Sequence, residues 1–155
     1  MTSSRLIGSR LALFLAQGFG AGRAPRAPGT FGTLAAIPIF LLLRETGPVV
    51  YLIVAVAMFA LGVWICDLAG RVLGDDASSI VWDEIVGYLI TMYGVPGSWP
   101  WVVAGFVLFR FFDIVKPFPI NVVDRRVRGG IGTMLDDLLA GLASLAVLHV
   151  AMRFT

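Results

Sequence analysis

The stretch Pro48-Val-Val-Tyr-Leu-Ile-Val-Ala-Val-Ala-Met-Phe-Ala-Leu-Gly-Val-Trp-Ile-Cys66 holds 19 consecutive residues without a charge. At ~1.5 Å per residue, a helix of that length nearly covers the ~30 Å hydrocarbon core of a bilayer, so the run predicts a membrane span. Outward from it, shorter apolar runs occur at Phe31–Leu43, Ile80–Tyr93, Ser98–Phe112 and Asp137–Met152. All fall short of ~20 residues and are expected to tilt, to thin the bilayer locally or to extend through polar turns. Breakers separate them: Gly47-Pro48, Gly74-Asp75-Asp76, Val95-Pro96-Gly97 and Pro117-Phe118-Pro119.

The rest of the chain agrees with that reading. Of 155 residues, 58% are hydrophobic and only 14% charged, and the mean hydropathy is +0.89, too apolar for a soluble domain of this size. Only helices and closed barrels satisfy the backbone in lipid, and no alternating strand pattern is present. The expectation is an all-α fold: a single domain, residues 1–155, forming a polytopic membrane helical bundle of about four to five apolar helices. Leu11-Ala-Leu-Phe-Leu-Ala16, preceded by Arg5 and Arg10, reads as an added N-terminal interfacial helix. It is about the shortest possible signal-peptide core, and a Gly-rich segment follows it where a cleavage site would stand.

Net charge is +2, but the basic residues flank apolar runs and form no continuous stripe, which argues against a nucleic-acid partner. With the N-terminus cytoplasmic, ten basic residues lie inside and only Arg44 and Arg153 outside. The same arrangement gathers Asp67, Asp75-Asp76, Asp83-Glu84, Asp113, Asp124 and Asp136-Asp137 on the cytoplasmic side. Cys66, the sole cysteine, excludes an intrachain disulfide and any CxxC site. His149, the sole histidine, sits at the far end of the last apolar run, which disfavours histidine-based chemistry.

Four constellations carry candidate chemistry. In Gly18–Thr33, glycines permit close backbone approach, Arg23 and Arg26 offer anion-binding forks, and Thr30 is a plausible cap for a helix beginning near Phe31; a flexible loop with topogenic arginines is the alternative. Asp83 and Glu84 diverge by ~100° on a helix, with Gly87 clearing space four residues on. A carboxylate facing lipid costs about 2.5–3.5 kcal/mol, so the pair needs a counter-charge, whether a structural arginine or a functional cation. Arg110, Asp113 and Lys116, spaced by three, form either an interfacial ion ladder or a phosphate clamp in which Asp113 orients the cations or meets a metal. Asp136-Asp137 reads either as helix-start acids favoured by the macrodipole or as part of a hard-cation site. Carboxylates without His or Cys partners fit Mg²⁺.

Pro28-Gly-Thr-Phe-Gly-Thr33, Ile80-Val-Trp-Asp-Glu-Ile-Val-Gly87, Phe109-Arg-Phe-Phe-Asp-Ile-Val-Lys-Pro-Phe-Pro-Ile120 and Gly129-Gly-Ile-Gly-Thr-Met-Leu-Asp-Asp-Leu-Leu-Ala-Gly141 together resemble the phosphatidylglycerophosphatase A family, in order, from about Gly18 to Gly141. The resemblance implies an Mg²⁺-dependent phosphatase of the bacterial inner membrane that converts phosphatidylglycerophosphate to phosphatidylglycerol and inorganic phosphate, upstream of cardiolipin. It carries the family's polar positions onto Thr30, Asp76, Asp83, Glu84, Arg110, Asp113, Lys116, Asp136 and Asp137. Two departures stand out: Arg128 occupies a position often held by histidine, and the loop Gly22–Ala27 is unusually basic.

The resulting expectation places Mg²⁺ between Asp83/Glu84 and Asp136/Asp137. Phosphate would sit on Arg110 and Lys116, with Thr30, Arg23 and Arg26 as further contacts, and Asp76 or Asp113 would orient water; a phospho-aspartate is the other route. The substrate would be reached from membrane lipid. The rival reading is a small cation transporter using the same carboxylates, against which stands their clustering on one face.

Overall fold

The computed structural model describes residues 3–74 and 77–155, with side chains from residue 10 onward. Seven α-helices occur among the described residues, with no strand. They are α1 (Ser3–Ala16), α2 (Pro28–Leu43), α3 (Pro48–Leu73), α4 (Trp82–Thr91), α5 (Trp99–Val115), α6 (Ile120–Arg126) and α7 (Gly129–Ala151). Two of them, α3 with 26 residues and α7 with 23, are long and apolar enough to cross a membrane. By contrast α2 has 16 residues, α5 has 17 and α4 only 10, so the structure marks fewer full-length spans than the four to five expected. Membrane-length helices with apolar side chains turned outward, among them Leu52, Ile53, Val56 and Trp64 of α3, mark a membrane protein.

Helix ends follow from local chemistry. Pro28 and Pro48 occupy first-turn positions, where a missing N–H costs nothing. Helix α5 stops at Lys116, which takes a left-handed conformation (φ 45°) ahead of Pro117. Two boundaries differ from the expectation. Helix α2 begins at Pro28 after a left-handed Ala27, so Thr30 lies within its first turn and is not its cap. Helix α7 begins at Gly129, eight residues before Asp137, so Asp136 and Asp137 are not helix-start acids. The macrodipole therefore gives no account of that pair. Glycine's low helix propensity leaves Gly129-Gly130-Ile131-Gly132 outside the apolar run expected from Asp137, but a Cβ on Gly130 would overlap the Val63 carbonyl, and this contact seats the first turn of α7 on α3.

Helix α4 is the axle of the bundle. It spans only about 15 Å, and eight of its residues, from Trp82 to Thr91, are buried between α7, α2, α3 and α5. A helix enclosed on all sides needs apolar residues all round, and Ile85, Val86, Tyr88 and Leu89 supply them. Buried polar ends are satisfied: Tyr51 Oη donates to the Leu89 carbonyl at 2.6 Å, Tyr88 Oη to Val102 at 3.1 Å, and Trp82 Nε1 to Met58 at 3.0 Å. Gly87 and Gly141 bring α4 and α7 into backbone contact, since a Cβ at Gly141 would lie 2.6 Å from the Gly87 carbonyl oxygen. That approach sets the N-terminal turn of α4 beside the second and third turns of α7, where the carboxylates lie.

Candidate active site

A cleft of about 350 Å³ opens where the C-terminal end of α5 and the segment Ala77–Ile80 meet α4 and α7. It is lined by Asp83, Glu84, Arg110, Asp113, Lys116, Asp136 and Asp137, together with Ala77, Ser78, Ile80 and Ile114. Sequence-distant motifs thus deliver five carboxylates and two cations to one concavity.

Three of the acids form a tight group. Asp83, Glu84 and Asp137 each offer an oxygen, and these lie within 4.8 Å of one another. Asp83 and Asp137 are buried, and Asp83 Oδ1, Glu84 Oε2 and Asp137 Oδ2 are all without a hydrogen-bond partner. Buried carboxyl oxygens left unpaired are costly, and three converging on one point fit a hard cation that accepts carboxylate oxygens and retains water. The donor set thus suits a metal ion. Asp136 does not join it: on the neighbouring helix position it points elsewhere, to the ammonium of Lys116.

The cations are held by the remaining acids. Arg110 Nη1 pairs with Asp113 one turn away and reaches Glu84 Oε1 at 3.7 Å, while its Nε is buried without a partner. Lys116 departs from the expected ladder because its left-handed backbone takes it off the α5 axis; its Nζ bridges Asp124 and Asp136. Burial alone would lower the Lys116 pKa, but hydrogen bonds and charge from Asp124 and Asp136 outweigh it and hold the pKa above its usual value. Lys116 therefore stays charged at neutral pH, and the stability from this bridge is lost only as pH rises through the raised value.

Other expected contacts lie elsewhere. Arg23 Nε donates to Gln17 Oε1 at 2.9 Å, Arg26 is exposed, and neither lines the cleft. The Gly-rich turn Gly18–Arg23 serves packing, with Gly22 against the Ser79 carbonyl. Asp76 lies outside the described residues. Thr30 does not line the cleft, but its neighbour Gly29 abuts it: a Cβ there would overlap the Glu84 carboxylate and come within 3.0 Å of Arg110 Nη1. Sequence reasoning missed Asp124, eight residues beyond Lys116 across a Pro-containing turn, where no helical spacing signals the pair.

The family profile described as Phosphatidylglycerophosphatase A matches residues 14–152. Phosphatidylglycerophosphatase A of Escherichia coli strain K12 is 43% identical over 151 residues, covering 96% of this chain and 88% of that protein. The Haemophilus influenzae protein of the same name is 44% identical over 136 residues, covering 86% and 83%. A Bacteroides thetaiotaomicron protein named putative phosphatidylinositol-3-phosphatase is 39% identical over 151 residues, covering 92% and 94%. No solved structure matches. With the profile spanning nearly the whole chain and two such relatives sharing its name, this protein belongs to the phosphatidylglycerophosphatase A family.

Proposed function

We propose that this chain is an Mg²⁺-dependent phosphatase that hydrolyses the phosphomonoester of phosphatidylglycerophosphate, yielding phosphatidylglycerol and inorganic phosphate for phosphatidylglycerol and cardiolipin synthesis. The observation that carries the reading is the juxtaposition in one cleft of three carboxylates with orphaned oxygens and two cations able to meet an anion. The family supplies the lipid headgroup.

The fold is read as a single polytopic bundle in the bacterial inner membrane. Helices α3 and α7 would be full spans, α2 and α5 tilted shorter ones, and α1 would lie at the interface. The excess of arginine on one side supports a cleft at the cytoplasmic face.

Bound between Asp83, Glu84 and Asp137, Mg²⁺ would neutralise phosphoryl charge and acidify a water. Arg110 would bind nonbridging phosphate oxygens, its guanidinium fixed by Asp113, and Lys116 would do so with its ammonium fixed by Asp136 and Asp124. Water attacks phosphorus, the bond from phosphorus to the glycerol oxygen breaks, and that oxygen leaves with a proton as phosphatidylglycerol. A carboxylate of the cleft takes the proton lost by the water and returns one to the departing glycerol oxygen.

The test is phosphate release from phosphatidylglycerophosphate by purified protein, with and without EDTA, for wild type, Asp83→Asn and Asp137→Asn. Phosphatidylinositol 3-phosphate is the comparison substrate. Activity should disappear on chelation, return with Mg²⁺, and fall at least a hundredfold in both variants. Undiminished release after chelation overturns the metal site, and no release from phosphatidylglycerophosphate overturns the substrate.

A further inference from the structure

We propose that the acyl chains of the substrate run along one face of α5, leaving the charged cleft past Ile114; the inference rests on the lipid phosphatase reading above. The cleft is polar on most of its wall, yet Ile114 lines it while remaining 68% exposed. The other isoleucine of the lining, Ile80, is 4% exposed and packs inward against α1 and α3. Ile114 is thus the point where the charged concavity opens onto the outward apolar surface.

That surface continues in register. Val103, Val107 and Phe111 are all exposed, and with Ile114 they fall within about 80° of arc on a helix turning ~100° per residue. From Val103 to Ile114 the stripe is about 16 Å long at ~1.5 Å per residue, close to half of a ~30 Å hydrocarbon core. It therefore matches the depth of one leaflet, the depth available to the chains of a lipid whose phosphate sits in the cleft. Phe118, just beyond the helix and also exposed, extends the apolar border at the cleft mouth. The outward residues of α3, such as Val56 and Trp64, are equally apolar, but none of them lines the cleft. Continuity with the phosphate site singles out α5.

The arrangement suits an amphiphile with a terminal phosphomonoester on its head and two hydrocarbon tails. The head meets Arg110 and Lys116, and the tails never have to cross the charged wall. Ile114 is then a specificity-determining residue that makes the enzyme prefer lipid over the free headgroup.

The experiment compares two substrates in detergent micelles: long-chain phosphatidylglycerophosphate and the same headgroup lacking both acyl chains. The variants are Ile114→Trp, which obstructs the mouth, and Ile114→Ser, which removes the apolar contact without adding bulk; Val56→Trp on α3 is the control. Because Ile114 and Val56 are exposed, none of the three disturbs the core. The expected result is at least a tenfold loss of kcat/KM for the long-chain substrate in both Ile114 variants. Rates on the headgroup alone should fall by a factor at least fivefold smaller, and Val56→Trp should leave both unchanged. Equal losses on both substrates would show that Ile114 only shapes the cleft, and retained long-chain rates would show that the chains leave elsewhere; either overturns the proposal. A wild type inactive on phosphatidylglycerophosphate but active on another phosphomonoester would overturn the substrate reading instead.

Discussion

Replacing Gly29 with alanine should separate activity from stability in this protein. Gly29 lies buried in the first turn of α2, with the Glu84 carboxylate seated directly on it and Arg110 Nη1 within 3.0 Å of where a Cβ would be. In a helix, Gly→Ala gains about 1 kcal/mol from reduced backbone freedom. Overpacking a tight contact costs about 1–3 kcal/mol. The net is a destabilisation of roughly 0–2 kcal/mol, which leaves the protein folded. The geometric effect is larger, because Glu84 must shift from its place beside Asp83 and Asp137 and takes its orphaned oxygen with it. A misplacement of ~1 Å at a reacting centre costs on the order of 10²-fold in rate, or about 2.7 kcal/mol of transition-state stabilisation. Phosphate release and thermal unfolding should be measured in the same detergent for Gly29→Ala, Glu84→Ala and the double variant. With the Glu84 side chain gone the clash is relieved, so Gly29→Ala should raise Tm in that background. Activity within threefold of wild type in Gly29→Ala, or an equal loss of Tm in both backgrounds, would refute the reasoning.

Other consequences follow from the same geometry. Asp124→Asn removes one of the two carboxylates holding Lys116; for this partly exposed pair the KM should rise about three- to tenfold, with little change in kcat. Lys116 is the only lysine in the chain, so its acylation followed by mass spectrometry should quicken in Asp124→Asn, and an unchanged rate would show that Asp124 does not hold it. Mg²⁺ should raise Tm in wild type and in Asp136→Asn but not in Asp137→Asn, because Asp136 is engaged by Lys116 and lies outside the carboxylate trio. Tyr51→Phe leaves the Leu89 carbonyl without its 2.6 Å donor, so unfolding should become easier by about 1–2 kcal/mol, while phosphate release is kept.

The sequence carried most of the site because the site is built from charge in an apolar chain. Asp83, Glu84, Arg110, Asp113, Lys116, Asp136 and Asp137 were all conspicuous against their surroundings, and all seven line the cleft. What it did not carry was pairing. Asp136 and Asp137 are adjacent, yet a helix turns them to different partners, and nothing in their order tells which one faces Asp83. Asp124 was visible only as one charge beside Arg125 and Arg126, because its partner lies across a turn whose course propensity does not fix. Glycines misled in a consistent way. Gly29 read as permissive backbone and Gly130 as lying ahead of the last helix, whereas each sits in a helix where a neighbouring group fills the place of a Cβ. The same confusion hid the true start of α7 and recast the phosphate loop of α2 as a packing surface for Glu84.

Charge in the cleft also dictates an order of binding. Were all its acids ionised, the lining would hold five carboxylates against Arg110 and Lys116, three negative charges in excess, and such crowding favours a cation, whether protons or Mg²⁺, over an anion. A phosphomonoester brings close to two more negative charges at neutral pH, and at ~4–6 Å in an environment less polarisable than water each such repulsion amounts to a few kcal/mol. Arg110 and Lys116 cannot offset this, since each is already paired with acids. The apo cleft should therefore reject phosphate, and a divalent cation on Asp83, Glu84 and Asp137 should have to bind first. Equilibrium dialysis with labelled inorganic phosphate tests this directly. Phosphate retention should be undetectable in EDTA and appear with Mg²⁺. In Asp83→Asn it should stay weak at any practical Mg²⁺ concentration, although the variant carries one negative charge fewer. Phosphate bound equally well with and without the cation would mean that the two basic residues suffice, and that the unpaired carboxylate oxygens are there for some other purpose.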